Sequence, residues 1–506
     1  MDQKSSQNEA QGVLQDPPFY PKIFWSAILL GLIYNYLFVF IQLGLSYFLF
    51  VLSFYIVFWW VFWKRINKKW SYEVLLTIPI IALSATFFLF SNQIFWSINF
   101  VLVPLLIIAQ TLLLFRNNLY PWWDICFPVD VLNAIFTRSF PYFQNFFLSF
   151  RLFFDHSSDK SKFSIIGKIL LGLLASIPLL FVIIGLLRSA DIVFDHYFLL
   201  YLKNINFIEW FFRFFIILIV SSFAFSFMWS FHISKRNLQN DLQVTNLSAY
   251  PFLDPTVYMT VLFMINLVYL AFGIIQFTYL FGAFNNGLPE GMTYSMYARE
   301  GFFQLIFVTI INFILVIFGI KFLILRSKKL ALLNKIVLSL TFIFTGILLY
   351  SAHLRMLLYE EVYSYTYLRV LTHSFIFFLA ILLVIIFFKI WSQRIALLKS
   401  FILIGLLAYI GINYFNIDAF IAEKNLARSL KIENNYYDAY YLNQLSYDAI
   451  PIILSFYQKH QIPEDLYQML LDKRSSFAKD KRDWRSFNLS VYNAKNALFD
   501  IFPSKP

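Results

Sequence analysis

From Ile23 to Trp63 the chain runs without a single charged side chain. At about 1.5 Å per helical residue, this run is far too long for one membrane crossing, which takes roughly 20 apolar residues. A globule cannot hide it either. The 506 residues are 60% hydrophobic and only 13% charged, and 64 of them are phenylalanine; a soluble domain is usually about 25% charged. The run is therefore expected to form two membrane helices joined by a turn near Gln42 to Ser46, where Gly44 permits it.

The same criterion gives about eleven apolar cores: 23–42, 46–63, 73–90, 94–115, 164–187, 207–232, 256–282, 301–322, 332–353, 371–389 and 396–415. The fold class is all-α, a polytopic transmembrane helix bundle with a small helical C-terminal soluble domain. Residues 1–22 form a disordered cytoplasmic N-terminus, without the charged and apolar order of a cleaved signal peptide. Residues 23–415 form the transmembrane domain, and 416–506 a helical extracytoplasmic tail. In that tail Asp418 is expected to cap Ala419 to Lys431, Asp448 to start the next helix, and Pro463 with Glu464 and Asp465 to open another.

Orientation follows from the basic residues of the loops. With the N-terminus inside, 22 Lys and Arg fall on the inner side. The outer segments hold Arg188, Lys203, Arg299, Arg355 and Arg369, and Arg213 lies within the sixth core. The net charge of +12 belongs mostly to those inner loops, because residues 416–506 hold 12 basic and 11 acidic side chains. The charge therefore does not signal nucleic-acid binding. The longest inner loop, 116–163, interleaves aromatics, charges and prolines. It is expected to lie along the inner leaflet as short interfacial helices, with a re-entrant gate as the alternative.

No phosphate-binding loop, nucleophile elbow or His-Glu-x-x-His pair is present. The single Cys126 excludes a multi-cysteine metal site, and no cofactor or metal is expected. The six histidines are scattered, with His353 and His373 at outer helix ends. The seventh core carries a polar stripe: Asn266, Tyr269 and Gln276 fall on one face with Gly273. Such groups at membrane depth face other helices or a polar cavity. A candidate outer polar site gathers Tyr294, Arg299, Glu300 and Gln304 from the start of the eighth span with Arg355, Tyr359 and Glu361 from the end of the ninth. In the tail, Trp484 is expected to anchor the last helix by a buried ring, Asp483 to cap it, and Arg485 to reach a carboxylate. Asn488 belongs to the same motif.

Five stretches carry a family resemblance. They are Leu288 to Tyr294, Tyr297 to Leu305, Arg355 to Tyr359, Tyr441 to Ala449, and Asp483 to Ser490. With these the chain resembles a bacterial membrane family catalogued as domain of unknown function 4173, most closely in its second half. It departs from that pattern at Tyr363-Ser-Tyr-Thr366. The resemblance implies a multi-pass protein of the bacterial inner membrane and no catalytic residues.

Three functions fit these features. The first is a non-catalytic envelope protein, embedded in the lipid bilayer, that binds a partner, lipid or glycan at its outer face. The second is a carrier or permease with a polar cavity between spans seven and ten. The third is a membrane enzyme acting on a lipid-linked substrate, with Glu300 or Glu361 as base. The orientation is directly testable: alkaline phosphatase fused after Phe415 should be highly active in a bacterial host. An inactive phosphatase with an active cytoplasmic reporter at the same point would reverse the topology.

Overall fold

The computed structural model describes residues 20–65, 72–155, scattered positions between 172 and 198, 207–233, 254–279, 294–323, 327–392, 394–430, 438–460, 464–480 and 482–503. The described residues are overwhelmingly helical and contain no β-strand. Ten described helices are long and apolar enough to cross a membrane. The fifth expected core, 164–187, falls mostly outside the described residues, as does the N-terminus before Tyr20.

The chain divides into two compact units. The first comprises Met1–Phe87, Val101–Leu242 and Arg482–Phe487; the second comprises Phe88–Phe100, Gln243–Lys481 and Asn488–Pro506.

The first unit begins with α1 (Tyr20–Phe38) and α2 (Leu45–Phe62). A helical turn, Tyr72–Leu75, leads to α3 (Thr77–Leu89). Next come α4 (Gln93–Phe115), the short α5 (Phe127–Asn133), α6 (Phe143–Asp155) and α7 (Phe207–Ile233). The first turns of α4 belong to the second unit. The expected hairpin forms where Gly44 was expected to turn it, but its glycine is needed for a different reason. Gly44 is extended, with φ 175°. A Cβ there would lie 2.7 Å from the Phe487 carbonyl oxygen and 2.8 Å from the Ser486 carbonyl carbon. The absent side chain lets the 482–487 segment reach the hairpin, where Leu45 N–H donates to the Phe487 carbonyl at 2.9 Å.

The core of this unit is aromatic. Phe225 stacks on Trp229, and Phe24 meets Phe146 and Phe225. Asp130 on α5 is fully buried and accepts from the N–H groups of Leu119 and Tyr120 at 2.7 and 2.8 Å, fixing the return of the chain after α4. From Phe127 to Asp155 the loop forms short helices, while Ile125, Phe136 and Phe140 stay exposed. Exposed aromatics on short helices suit an interfacial position.

The second unit contains α8 (Pro255–Tyr279), α9 (Tyr294–Lys321), α10 (Lys328–Tyr363), α11 (Tyr367–Trp391) and α12 (Leu397–Tyr414). Its tail helices are α13 (Ile417–Ser429), α14 (Ala439–Gln444), α15 (Ile450–Lys459), α16 (Glu464–Lys479) and α17 (Leu489–Ile501). Hydropathy ended the ninth core at residue 353, yet α10 continues to Tyr363. The Leu, Met, Arg and Glu residues after His353 are strong helix formers with no Gly or Pro among them, so the helix does not stop where its apolar stretch does. Arg355 therefore lies within α10 rather than at its end.

Tail and bundle share one core in this unit. Phe95 of α4 and Val370 of α11 are buried together with Ile421, Ile450, Leu466 and Leu498. Asn416, not Asp418, caps α13 by accepting from Ala419 N–H. Asp448 sits in a 3-10 turn before α15, with Ala449 at that helix's N-cap position. Both carboxylates are instead buried in a network described below.

Gly31 of α1 allows a close approach to α7 within the first unit. A Cβ there would come within 2.8 Å of the Ile217 carbonyl oxygen and would collide with Ser221 Oγ. Gly31→Val should thus force α1 and α7 apart and destabilise this unit by about 1–3 kcal/mol. Thermal unfolding in detergent measures it, and an unchanged midpoint would mean that the two helices do not pack this closely.

Candidate functional site

Polar residues in the second unit gather at three levels. The first lies among the spans. Asn266 donates to the Val337 carbonyl at 3.4 Å and accepts from Thr341 Oγ1 at 3.2 Å. Tyr269 Oη donates to Asn312 Oδ1 at 2.7 Å, and Asn312 Nδ2 donates to Thr345 Oγ1 at 2.9 Å. Ser351 Oγ donates to Gln276 Oε1 at 2.9 Å. Each residue of the expected stripe on α8 thus bonds a group on α9 or α10.

The second level lies toward the tail end of α10 and α11. Arg355 is buried, and its guanidinium packs against Gly301 of α9, where a Cβ would lie 2.6 Å from Cζ. Tyr294, Arg299 and Glu300 lie in the first turns of α9, and their side chains are outside those described. Gln304 is exposed. Tyr359 is half-buried beneath the Arg369 guanidinium, 4.2 Å from its ring centroid. Glu361 is exposed, and its backbone carbonyl accepts from Arg428 Nε at 2.8 Å.

The buried acid of this segment is Glu360, only 1% exposed. Its Oε2 lies 2.9 Å from His373 Nε2, and His373 Nδ1 lies 3.0 Å from His353 Nδ1. Both histidines were expected only as scattered residues at outer helix ends. A signal was present: His353 and Glu360 are seven residues apart, two helical turns on one face. Nothing in the sequence reveals that α11 brings His373 against both.

The third level joins the tail to the spans. Asn92 Nδ2 donates to Asp418 Oδ2 at 2.7 Å and to Tyr367 Oη at 2.9 Å, while Asn92 Oδ1 accepts from Phe95 N–H. Asp448 Oδ2 accepts from Ser91 N–H, Ser91 Oγ and Ser446 Oγ at 2.7–2.9 Å. Asn488 caps α17 by accepting from Val491 N–H and donates to the Phe90 carbonyl at 2.7 Å. Asn99 and Asn413 bond each other, and Tyr409 Oη donates to Asn99.

The tail motif differs from its expected arrangement. Trp484 is 55% exposed rather than buried, because it sits in a 3-10 turn at the α1 end of the first unit, beside the Tyr36 ring. Asp483 caps that turn rather than the last helix. Arg485 does reach a carboxylate, but it is the neighbouring Asp483, bonded at 2.7 and 2.8 Å; Arg485 also donates to the Tyr36 carbonyl. Bonding from Arg485 holds the Asp483 carboxyl down at about 2. Among the described residues no group of three or more His, Cys, Asp or Glu side chains is arranged to hold a metal ion.

The family model described as Domain of unknown function (DUF4153) matches residues 77–456, well over half of the chain, and the chain belongs to that family. This corrects the resemblance to domain of unknown function 4173, which is a different family. The match begins at the third span and ends before the Asp483 to Ser490 motif. Short aromatic and basic motifs at span ends recur wherever helices meet the membrane interface, so they discriminate families poorly. No curated protein and no solved structure matches the chain.

Asp418 makes the third level sensitive to pH. Burial raises its carboxyl above the ordinary value, ahead of the opposing hydrogen bonds from Asn92 and Ser446. The stability this group contributes is therefore complete below the unfolded value of about 3.9 and is lost as pH rises through the raised one. Acidification from neutral pH toward about 4 should strengthen tail docking by this term. Asp418→Asn should flatten that part of the pH dependence of tail proteolysis; an unchanged slope would assign it to another group.

Proposed function

We propose that this member of the DUF4153 family is a non-catalytic protein of the bacterial inner membrane. In this reading its N-terminus is cytoplasmic and residues 416–506 face outward, where they bind a lipid, glycan or protein of the envelope. The orientation is supported by the 22-to-5 asymmetry of Lys and Arg.

One observation carries the choice among the three functions. The intramembrane residues Asn266, Tyr269 and Gln276 are each taken up by hydrogen bonds to neighbouring helices. A carrier needs such groups turned toward a passing solute, whereas interhelical bonds of roughly 0.6 kcal/mol each serve to hold a bundle together. The tail is seated on the spans by buried Asp418 and Asp448, which suits a module presented at a fixed height above the membrane. Of the two acids considered as a catalytic base, Glu361 is exposed, and the Glu300 side chain lies outside those described.

Complementation of a deletion strain separates the readings. Asn266→Ala and Gln276→Ala should lower protein abundance in proportion to lost stability while sparing activity per molecule. Trp484→Ala, which removes an exposed ring of the tail, should lose complementation at normal abundance. If instead Asn266→Ala and Gln276→Ala abolish complementation at normal abundance, the protein is a carrier.

A further inference from the structure

The binding role makes no use of Glu360, His373 and His353. Glu360 Oε2 is bonded to His373 Nε2, and Glu360 Oε1 is buried with no hydrogen-bond partner among the described residues. The two imidazoles meet edge to face, with centroids 4.9 Å apart and planes at 79°, through their Nδ1 atoms. An N···N hydrogen bond needs one proton: two lone pairs repel, and so do two N–H groups. Counting protons along the chain therefore fixes which charge states its geometry accepts.

In the first state Glu360 is a carboxylate, His373 carries its proton on Nε2, and His353 donates from Nδ1. The net charge is −1, and both hydrogen bonds are made. If a proton arrives at His353 Nε2, the Nδ1 proton of His353 can pass to His373 Nδ1. His373 is then an imidazolium facing the Glu360 carboxylate, and His353 is neutral with its proton on Nε2. The net charge is 0, and both hydrogen bonds persist. A further proton on His353 would set two N–H groups against each other and separate the rings.

We infer that Glu360, His373 and His353 form a proton-binding site that accepts one proton with its geometry intact, and whose imidazole pair is opened by a second proton on either ring. The proton enters at His353 and its charge comes to rest beside the buried carboxylate. Histidine is suited to this because its ordinary value, about 6.5, lies near physiological pH. The surrounding elements carry Arg355, Tyr359 and Glu361 on α10, Arg369 on α11, Tyr365 in the connecting turn and Arg428 on α13. Burial and the negative charges of Glu360 and Glu361 raise the Tyr365 hydroxyl, so the site's charge is felt in that turn. Tyr365 is bonded through its backbone to Asn425 of α13, so the site lies next to a seat of the tail.

The test needs no ligand and so stands apart from the proposed binding role. The full-length protein, labelled with nitrogen-15 at its 6 histidines, is placed in lipid nanodiscs and titrated by NMR from pH about 8 to about 5. Two imidazoles should titrate as a coupled pair that takes up one proton between them. Glu360→Gln should shift that step by about 1–3 pH units. His353→Gln should leave His373 titrating alone. Two independent one-proton titrations in the wild type, or a pair whose titration Glu360→Gln does not move, would overturn the proposal. The wild-type titration decides the matter even if a variant fails to fold.

Discussion

Hydrocarbon offers no hydrogen-bonding partner, so every polar group within the spans must be satisfied by the protein itself. That requirement organises the second unit. Asn266, Tyr269, Gln276, Asn312, Thr341, Thr345 and Ser351 are all bonded, and all but Tyr269 are deeply buried. Each bond is weak, but leaving one partner unmade at that depth costs far more than making it contributes. The polar residues therefore fix the rotation of α8 and α9 about α10, which apolar contacts alone would leave loosely specified. Lipid tails resemble Leu and Phe too closely to select one helix face.

Close approach of backbones requires missing side chains, and glycines at the contacts supply them. Gly31 admits Ile217 and Ser221, and Gly44 admits the 482–487 segment. Gly301 admits the Arg355 guanidinium, and Gly319 admits the Tyr258 ring, whose hydroxyl donates to the Leu315 carbonyl at 2.7 Å. Packing of this kind is the main attraction between helices in a membrane, where burial from water no longer distinguishes helix from lipid.

Much of this was legible in the sequence. Charge-free length gave the spans, because lipid imposes a fixed thickness, and the α1–α2 turn fell where Gly44 stands. The stripe on α8 was visible as a helical period, although period alone does not say whether a polar face meets a helix or a cavity. Other features were not legible. Asp418 and Asp448 look like helix caps locally, since an acid before an apolar run is the usual start signal. Their true partners, Asn92 and Ser91, lie more than three hundred residues away in sequence. Trp484 looked like a core anchor because large aromatics usually are. In a membrane protein, however, an indole also suits the interface, where its ring contacts lipid and its N–H stays wet. Glu360 and Glu361 are adjacent and chemically alike, and only the rotation of α10 buries the first and exposes the second.

α10 brings these features together. Thr341, Thr345, Ser351 and Arg355 face α8 and α9, whereas His353 and Glu360 face α11. One helix thus carries a polar seam on each of two sides, and the seams differ in chemistry. The first is built from amides, hydroxyls and an arginine, none of which changes charge near neutral pH. The second is built from an acid and two imidazoles and can change charge. The helix then runs on beyond its apolar stretch to the turn at Tyr365 and Tyr367, whose backbone groups are held by Asn425 of α13 and Tyr441 of α14. α10 is thus bonded to α8 and α9 on one side and meets the imidazole of α11 on the other. That seam lies at the end of α10 that leads into the turn on which the tail is seated.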